Sequence, residues 1–305
     1  MGQATPAPGS NLRAIVAMVC ATAIFTCGDT SMKIVSSALP TGETIFVRGL
    51  LSFVVLLHVA TLTGQIRTLR RCLVPAMGLR CLGDVGGAVF FQAALARMKL
   101  ADLMGINQLT PLSLTAASAL FLGETVGWRR WTAVGVGFCG ALLVIKPGSS
   151  AFNIAAVIGL MSVLSGTLRD VSTRKLDLDV SPVIILLLSQ AVITTAGLCF
   201  GTFETWAMPT RANLLNLAAA SVCSMVGQVC LIYSVRTGEL SVVAPFRYTG
   251  MPWAILLGFG VWGELPDPLT FLGILVLVAA GLYTLYRERR VRRERARLAG
   301  STATA

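Results

Sequence analysis

Ten mostly apolar stretches follow one another along this chain with hardly a hydrophilic loop between them. That pattern constrains the fold more than any other feature. In lipid a helix satisfies its own backbone, and about 20 apolar residues cross the hydrocarbon. The stretches run from Leu12 to Ser36, Thr44 to Thr63, Leu73 to Ala96, Leu100 to Leu122, Trp131 to Ile145, Phe152 to Thr173, Pro182 to Phe203, Ala212 to Val235, Leu240 to Trp262 and Pro268 to Tyr286. The third and eighth are the least apolar, and the fifth is short. Turn-forming residues separate them at Ser37-Ala38-Leu39-Pro40-Thr41-Gly42, Lys146-Pro147-Gly148-Ser149-Ser150 and Pro266-Asp267-Pro268. Only 13% of the residues are charged, against about 25% in a soluble domain. The expected fold is therefore an all-α polytopic membrane protein with ten transmembrane helices. The first stretch is read as a retained span, because no basic n-region precedes it, no cleavage site is evident and it is long for a signal peptide's core.

The formal charge of +11 does not point to nucleic acid. Seven arginines crowd Arg287 to Arg297, directly after the last apolar run, where they favour anionic lipid headgroups. With the N-terminus in the cytoplasm, the inside loops hold Arg67, Arg70, Arg71, Arg129, Arg130, Arg174, Lys175, Arg236 and the basic tail. The outside loops hold fewer basic residues, chiefly Lys33, Arg97, Lys99, Lys146 and Arg211. Both termini are expected inside. The eight cysteines form no CxxC pair and there is one histidine, His58. No metal site or cofactor is expected.

The chain also resembles itself. Gly123-Glu124 ends the fourth stretch and Gly263-Glu264 ends the ninth, 140 positions later. Each is followed by a glycine-bearing helix, with Gly135, Gly137 and Gly140 in one and Gly273 and Gly281 in the other. Lys99-Leu100-Ala101 meets Glu239-Leu240-Ser241, and Asp29-Thr30-Ser31-Met32-Lys33 meets Asp170-Val171-Ser172-Thr173-Arg174. Two halves of five spans each must enter the membrane from opposite sides. Such inverted repeats mark secondary transporters, with the site at the repeat interface. The expected division is 1–148, 149–288 and a basic cytoplasmic tail over 289–305.

The arrangement resembles the drug/metabolite transporter superfamily, in its ten-span branch of two EamA repeats. The two Gly-Glu ends, the glycine-rich fifth and tenth spans and Leu39-Pro40-x-x-Glu43-x-x-Phe46-x-Arg48 carry the resemblance. The second half keeps only Ser181-Pro182 of the last pattern. The resemblance implies a multi-pass permease of the bacterial inner membrane. It also implies a central cavity, lined largely by the third, fourth, eighth and ninth spans.

Ionisable residues at membrane depth usually face the protein interior. Asp29 and Lys33 share a helix face at i, i+4. They serve either as a proton or cation site or as an intrahelical pair. Arg80, Asp84, Gly87 and Phe91 form one stripe on the third span. Asn107 and Gln108 stand before Pro111, which can open the fourth helix. The ninth span reads Pro245-Phe246-Arg247-Tyr248-Thr249-Gly250-Met251-Pro252-Trp253, placing Arg247 and Tyr248 at the repeat positions of Asn107 and Gln108. Arg247 stays charged and suits a carboxylate or phosphate, or else an Asp29 or Asp84 partner. Tyr248 and Trp253 can stack on a ring.

Ser221, Ser224 and Gln228 share a face of the eighth span. The candidate binding set is thus Asn107, Gln108, Arg247, Tyr248, Trp253, Gln228 and Asp84. Asp29, Lys33, Arg48, Glu124 and Glu264 form the candidate coupling or gating set. No GxxxxGK[ST], HExxH or GxSxG motif is present, so neither ATP binding by a P-loop nor an enzyme is expected. The function expected is secondary transport of a small anionic or zwitterionic metabolite by alternating access. The alternatives are a flippase-like carrier of a lipid-linked substrate and, behind it, a non-transporting sensor or a channel. Expected partners are the solute, membrane lipids and a coupling proton or counter-solute. A homodimer is compatible with all of these.

Overall fold

The computed structural model describes residues 8–72, 74–121, 127–146, 154–173, 181–237 and 240–302. Those residues form helices joined by short turns. Six of the helical segments are each long and apolar enough to cross a membrane: Asn11–Ser36, Thr41–Leu62, Ile154–Thr173, Pro182–Gly201, Arg211–Val235 and Pro268–Arg287. They are the first, second, sixth, seventh, eighth and tenth spans. The third, Pro75–Leu95, carries Arg80 and Asp84, and the fifth, Trp128–Ile145, is short. The fourth and ninth are each broken into pieces. Large apolar side chains such as Leu82, Leu120, Val229 and Leu256 stay exposed on the outer faces, as a surface bathed in lipid requires.

Local sequence sets the helix ends. The Ser181 hydroxyl accepts a hydrogen bond from the Val183 amide, with Pro182 at the first helical position. Asp267 caps the tenth span in the same way, taking the Thr270 amide and hydroxyl. Gly263 adopts a left-handed φ of 67°. Its amide reaches Phe259 O and the Glu264 amide reaches Gly258 O, the double bond of a Schellman cap. The repeated Gly-Glu pair thus has a physical meaning in the second half: glycine stops the helix and glutamate emerges on a fixed vector. Gly123 and Glu124 lie outside the described residues. The last helix continues past the expected span to Thr302, so much of the 289–305 tail extends it rather than forming a separate element.

Helix pairing follows the repeat. The first span packs on the eighth and the third on the sixth; the second packs on the seventh, the fifth on the tenth and the fourth on the ninth. Exchanging the two halves maps the first pairing onto the second and each of the others onto itself. That is the signature of a pseudo-two-fold axis between inverted repeats, and it makes the molecule ten spans in two inverted halves. Glycines let the paired backbones touch. A Cβ on Gly273 would stand 2.7 Å from the Gly140 carbonyl oxygen, and one on Gly140 2.9 Å from that of Gly273. A Cβ on Gly42 would meet the Gly201 nitrogen at 2.5 Å. The main core surrounds the fourth span, where Leu100, Leu103, Ile106 and Leu112 are buried with Leu277.

Candidate functional site

Both broken spans fail at the same repeat position. The fourth helix stops at Asn107 and resumes at Thr110, with Pro111 in the first turn of the new piece, where its missing N–H costs nothing. The Thr110 hydroxyl donates to Asn107 O at 2.7 Å, satisfying a carbonyl the interruption frees. In the ninth span Leu240–Val243 gives way to a 3-10 turn, Ala244–Thr249, before Gly250–Trp262. Pro245 begins the tight turn, and Pro252 withholds an amide from the helix after it. Hydroxyl bonds brace both breaks against the repeat-related neighbours: Thr249 with Thr22 of the first span at 2.9 Å, and Ser113 with Thr167 of the sixth at 2.7 Å.

Arg247 sits in the 3-10 turn. Many protein atoms surround it, yet its side chain is exposed. The charges facing it are Asp170 and Arg169 of the sixth span. The sixth and ninth helices are not among the packed pairs and are joined through the fourth, so the arginine addresses the sixth across the gap between their backbones. Among the described residues no carboxylate lies within ion-pair distance of Arg247. The alternatives of a permanent pair with Asp29 or Asp84 are therefore not realised.

Across the gap Asp84 is almost fully buried. It takes a 2.5 Å hydrogen bond from the Ser189 hydroxyl of the seventh span. Arg80 approaches it at 3.6 Å and Arg169 at 3.9 Å. Arg80 also donates to the Thr173 hydroxyl. Arg169 turns its Nε to Asp170 at 2.8 Å. The stripe expected on the third span is present. Gly83 and Gly86 press on Arg169 and Ser165, whereas a Cβ on Gly87 would meet nothing within 4 Å.

The first half holds a different arrangement. Asp29 does not pair with Lys33, correcting the intrahelical alternative. The charge facing Asp29 is Arg48 of the second span, beyond direct ion-pair contact. The Arg48 guanidinium reaches the Ser224 hydroxyl at 3.4 Å, and Ser221 donates to Arg48 O at 3.2 Å. Because the second helix starts at Thr41, Arg48 lies nearly two turns inside it. Asp29 and Arg48 are likewise enclosed by protein but only half-buried.

Lys33 instead crosses to Glu264 at 2.6 Å and lies 4.5 Å from the centre of the Trp262 ring. This contact ties the first span to the end of the ninth. Further ties gather at the same end of the bundle. Lys99 donates to Leu265 O at 2.6 Å, and Lys146 pairs with Asp267 at 2.7 Å. Hydrogen bonding from Lys146 and Thr270 holds the Asp267 carboxyl well below the usual carboxylate range. Glu43 accepts the Ala207 amide and Glu204 accepts the Gly42 amide, clasping the loop after the seventh span onto the second helix.

The remaining candidates are spread around this frame. Asn107, Gln108, Gln228 and Trp253 are half-buried, and among the described residues the three amide side chains have no hydrogen-bond partner. Tyr248 is buried against Gly281 of the tenth span, so its ring does not line the gap that Arg247 enters. Arg169, Ser189 and Glu204 were not apparent from the sequence. Two of the three carried a signal that could have found them: Arg169 adjoins Asp170, and Ser189 stands at the same separation from Arg48 as Asp170 from Asp29.

Comparison with known proteins agrees with this architecture. The chain is 28% identical to the pseudopaline exporter CntI of Pseudomonas aeruginosa over 269 residues, covering 87% of this chain and 93% of that one. It is 26% identical to a riboflavin transporter of Rhizobium johnstonii, covering 75% and 72% respectively. It is 24% identical to an S-adenosylmethionine uptake transporter of Rickettsia bellii, covering 86% and 89%. A crystal structure with 14% identity superposes with a TM-score of 0.63 over 92% of this chain and 99% of that one, which speaks for the fold. These relatives are transporters of small metabolites, and no enzyme is among them. The family model described as the EamA-like transporter family matches twice, at residues 12–146 and 153–286, so this chain belongs to the EamA-like transporter family of the drug/metabolite transporter superfamily.

Proposed function

We propose that this protein is a secondary carrier of a small organic metabolite, anionic or zwitterionic, working by alternating access across a bacterial inner membrane with both termini in the cytoplasm. The observation that carries this reading is Arg247. It is a permanent cation in a broken helix, enclosed by protein, accessible, and without an ion-pair partner among the described residues. A substrate carboxylate or phosphate supplies the missing partner. Asn107 and Gln108, at the repeat-equivalent break, supply amide groups to the rest of the solute, with Gln228 and Trp253 as further lining. The relatives named for riboflavin, S-adenosylmethionine and pseudopaline support a metabolite of that size.

In this orientation the Lys33–Glu264 end is the outer end, and its ion pairs close it. Lys33 and Glu264 act as an outer gate. Asp29, facing Arg48, is the coupling group for a proton or counter-solute; transport indifferent to an imposed pH gradient removes the proton version.

A thermal-shift screen of purified protein against amino acids, other carboxylates and phosphate esters, with riboflavin as a neutral control, tests the binding role. A solute at 100 times its dissociation constant stabilises the native state by about 2.7 kcal/mol. The Arg247→Ala protein is expected to lose that shift. Equal stabilisation of both proteins overturns the role given to Arg247.

A further inference from the structure

The gap between the third, sixth and ninth spans is lined by five ionic side chains from the described residues. Three are cations, Arg80, Arg169 and Arg247, and two are anions, Asp84 and Asp170. The two aspartates are already committed. Asp84 takes Ser189 and the flanking arginines, and Asp170 takes Arg169 Nε at 2.8 Å. Among the described residues the cluster therefore holds one positive charge more than it balances. An uncompensated charge away from bulk water is costly, and a bound counter-charge removes that cost.

Arg169 is built to share the counter-charge with Arg247. It spends its Nε on Asp170 and lies 3.9 Å from Asp84 through the same nitrogen. Among the described residues the two terminal nitrogens of its guanidinium have no polar partner. The side chain stays 39% exposed despite its ion pair, and Asp170 31%. Arg247 faces it from the opposite wall, across helices that do not pack together. Two guanidinium forks with free donors on facing walls suit an oxyanion held between them.

We propose that Arg169 and Arg247 together form an anion clamp in this gap, with Asp170 positioning Arg169, and that the solutes it takes carry one net negative charge. A neutral zwitterion leaves the surplus charge in place, and a dianion reverses it. A single carboxylate or singly ionised phosphate ester cancels it. This inference rests on the carrier reading for the identity of the occupant, but the surplus charge itself is measurable without knowing the solute.

Gly87 provides the reporter. It lies on the face of the third helix that carries Arg80 and Asp84, and an added Cβ there meets no atom within 4 Å. Gly87→Cys is introduced into full-length protein whose native cysteines are replaced by serine. The thiol is then reacted with 2-sulfonatoethyl methanethiosulfonate, which is negative, and with its trimethylammonium counterpart, which is positive. Each rate is normalised to that of a free thiol in solution. A surplus positive field makes the negative reagent faster by about tenfold or more. Arg247→Gln and Arg169→Gln should each bring the ratio down towards one. Asp170→Asn should raise it, a direction that mere loosening of the fold does not produce. Lys33→Gln, at the far end of the bundle, should leave it unchanged.

A ratio at or below one overturns the clamp. So does a thiol unreactive to both reagents, or a ratio indifferent to both arginine variants. Where Gly87→Cys gives no monodisperse protein, Gly166→Cys on the sixth span, whose added Cβ meets only a terminal nitrogen of Arg169 at 3.9 Å, reads the same ratio. A failed ratio with intact solute uptake overturns the clamp alone. A tenfold ratio with no uptake of any solute overturns the carrier reading alone.

Discussion

At the scale of single residues, the polar groups divide into those that hold helices together and those left available. Lys33, Lys146, Asp84 and Glu43 are committed to partners on other spans or the loops that join them. Arg247, Asn107 and Gln108 are not. Sequence spacing offered Lys33 as an intrahelical partner of Asp29, and the structure gives it another partner. Asp29 and Lys33 share a helix face, yet Lys33 reaches a glutamate more than two hundred positions away that only the folded chain brings near. A consequence follows for Asp267. Its folded value lies below the unfolded one, so the stability it contributes is present above the unfolded value and fades as pH falls towards the folded value. Thermal stability in detergent should therefore decline below about pH 4. Asp267→Asn should lower stability at neutral pH, modestly because the carboxyl is partly solvated, and remove that part of the acid loss. An acid profile unchanged by the substitution contradicts the assignment.

At the scale of helices, the breaks and crossings were legible in different degrees. Pro111, Pro245 and Pro252 announced two interrupted spans, because proline removes a backbone donor wherever it stands. The length of the interruption was not legible, since it depends on hydroxyls such as Thr110 and Thr249 taking up the freed carbonyls. Glycines pointed to close helix contacts without saying which helices meet. Gly140 and Gly273 touch backbone to backbone, while Gly87 and Gly135 have open space beside them. Gly273→Leu should thus destabilise the protein by about 1–3 kcal/mol through overpacking. Gly87→Ala and Gly135→Ala should be neutral or stabilising by about 0.5–1 kcal/mol. Melting of the three variants in one detergent separates these outcomes, and equal loss in all three would argue against the fifth–tenth contact.

At the scale of the whole molecule, the odd number of spans per half dictated inversion, and the pairing of first with eighth and third with sixth displays it. The two halves have nevertheless diverged in chemistry. Asp29 faces an arginine of the second span, whereas its repeat mate Asp170 is joined to Arg169 beside it. The repeat aligned these positions but could not assign their partners, because Arg48 and Arg169 do not occupy equivalent places in the two halves: at the same offset Arg48 meets Ser189 and Arg169 meets Gly28. On the proposed carrier reading, the Lys33–Glu264 contact and the accessible Arg247 belong to one of two alternating states. The most direct test is uptake into proteoliposomes of whichever metabolite most stabilises the purified protein, compared between the native chain and Arg247→Ala. The account predicts that the variant loses at least about tenfold in uptake, with the preference for anionic over neutral solutes abolished. Full uptake by Arg247→Ala with that preference unchanged would contradict it.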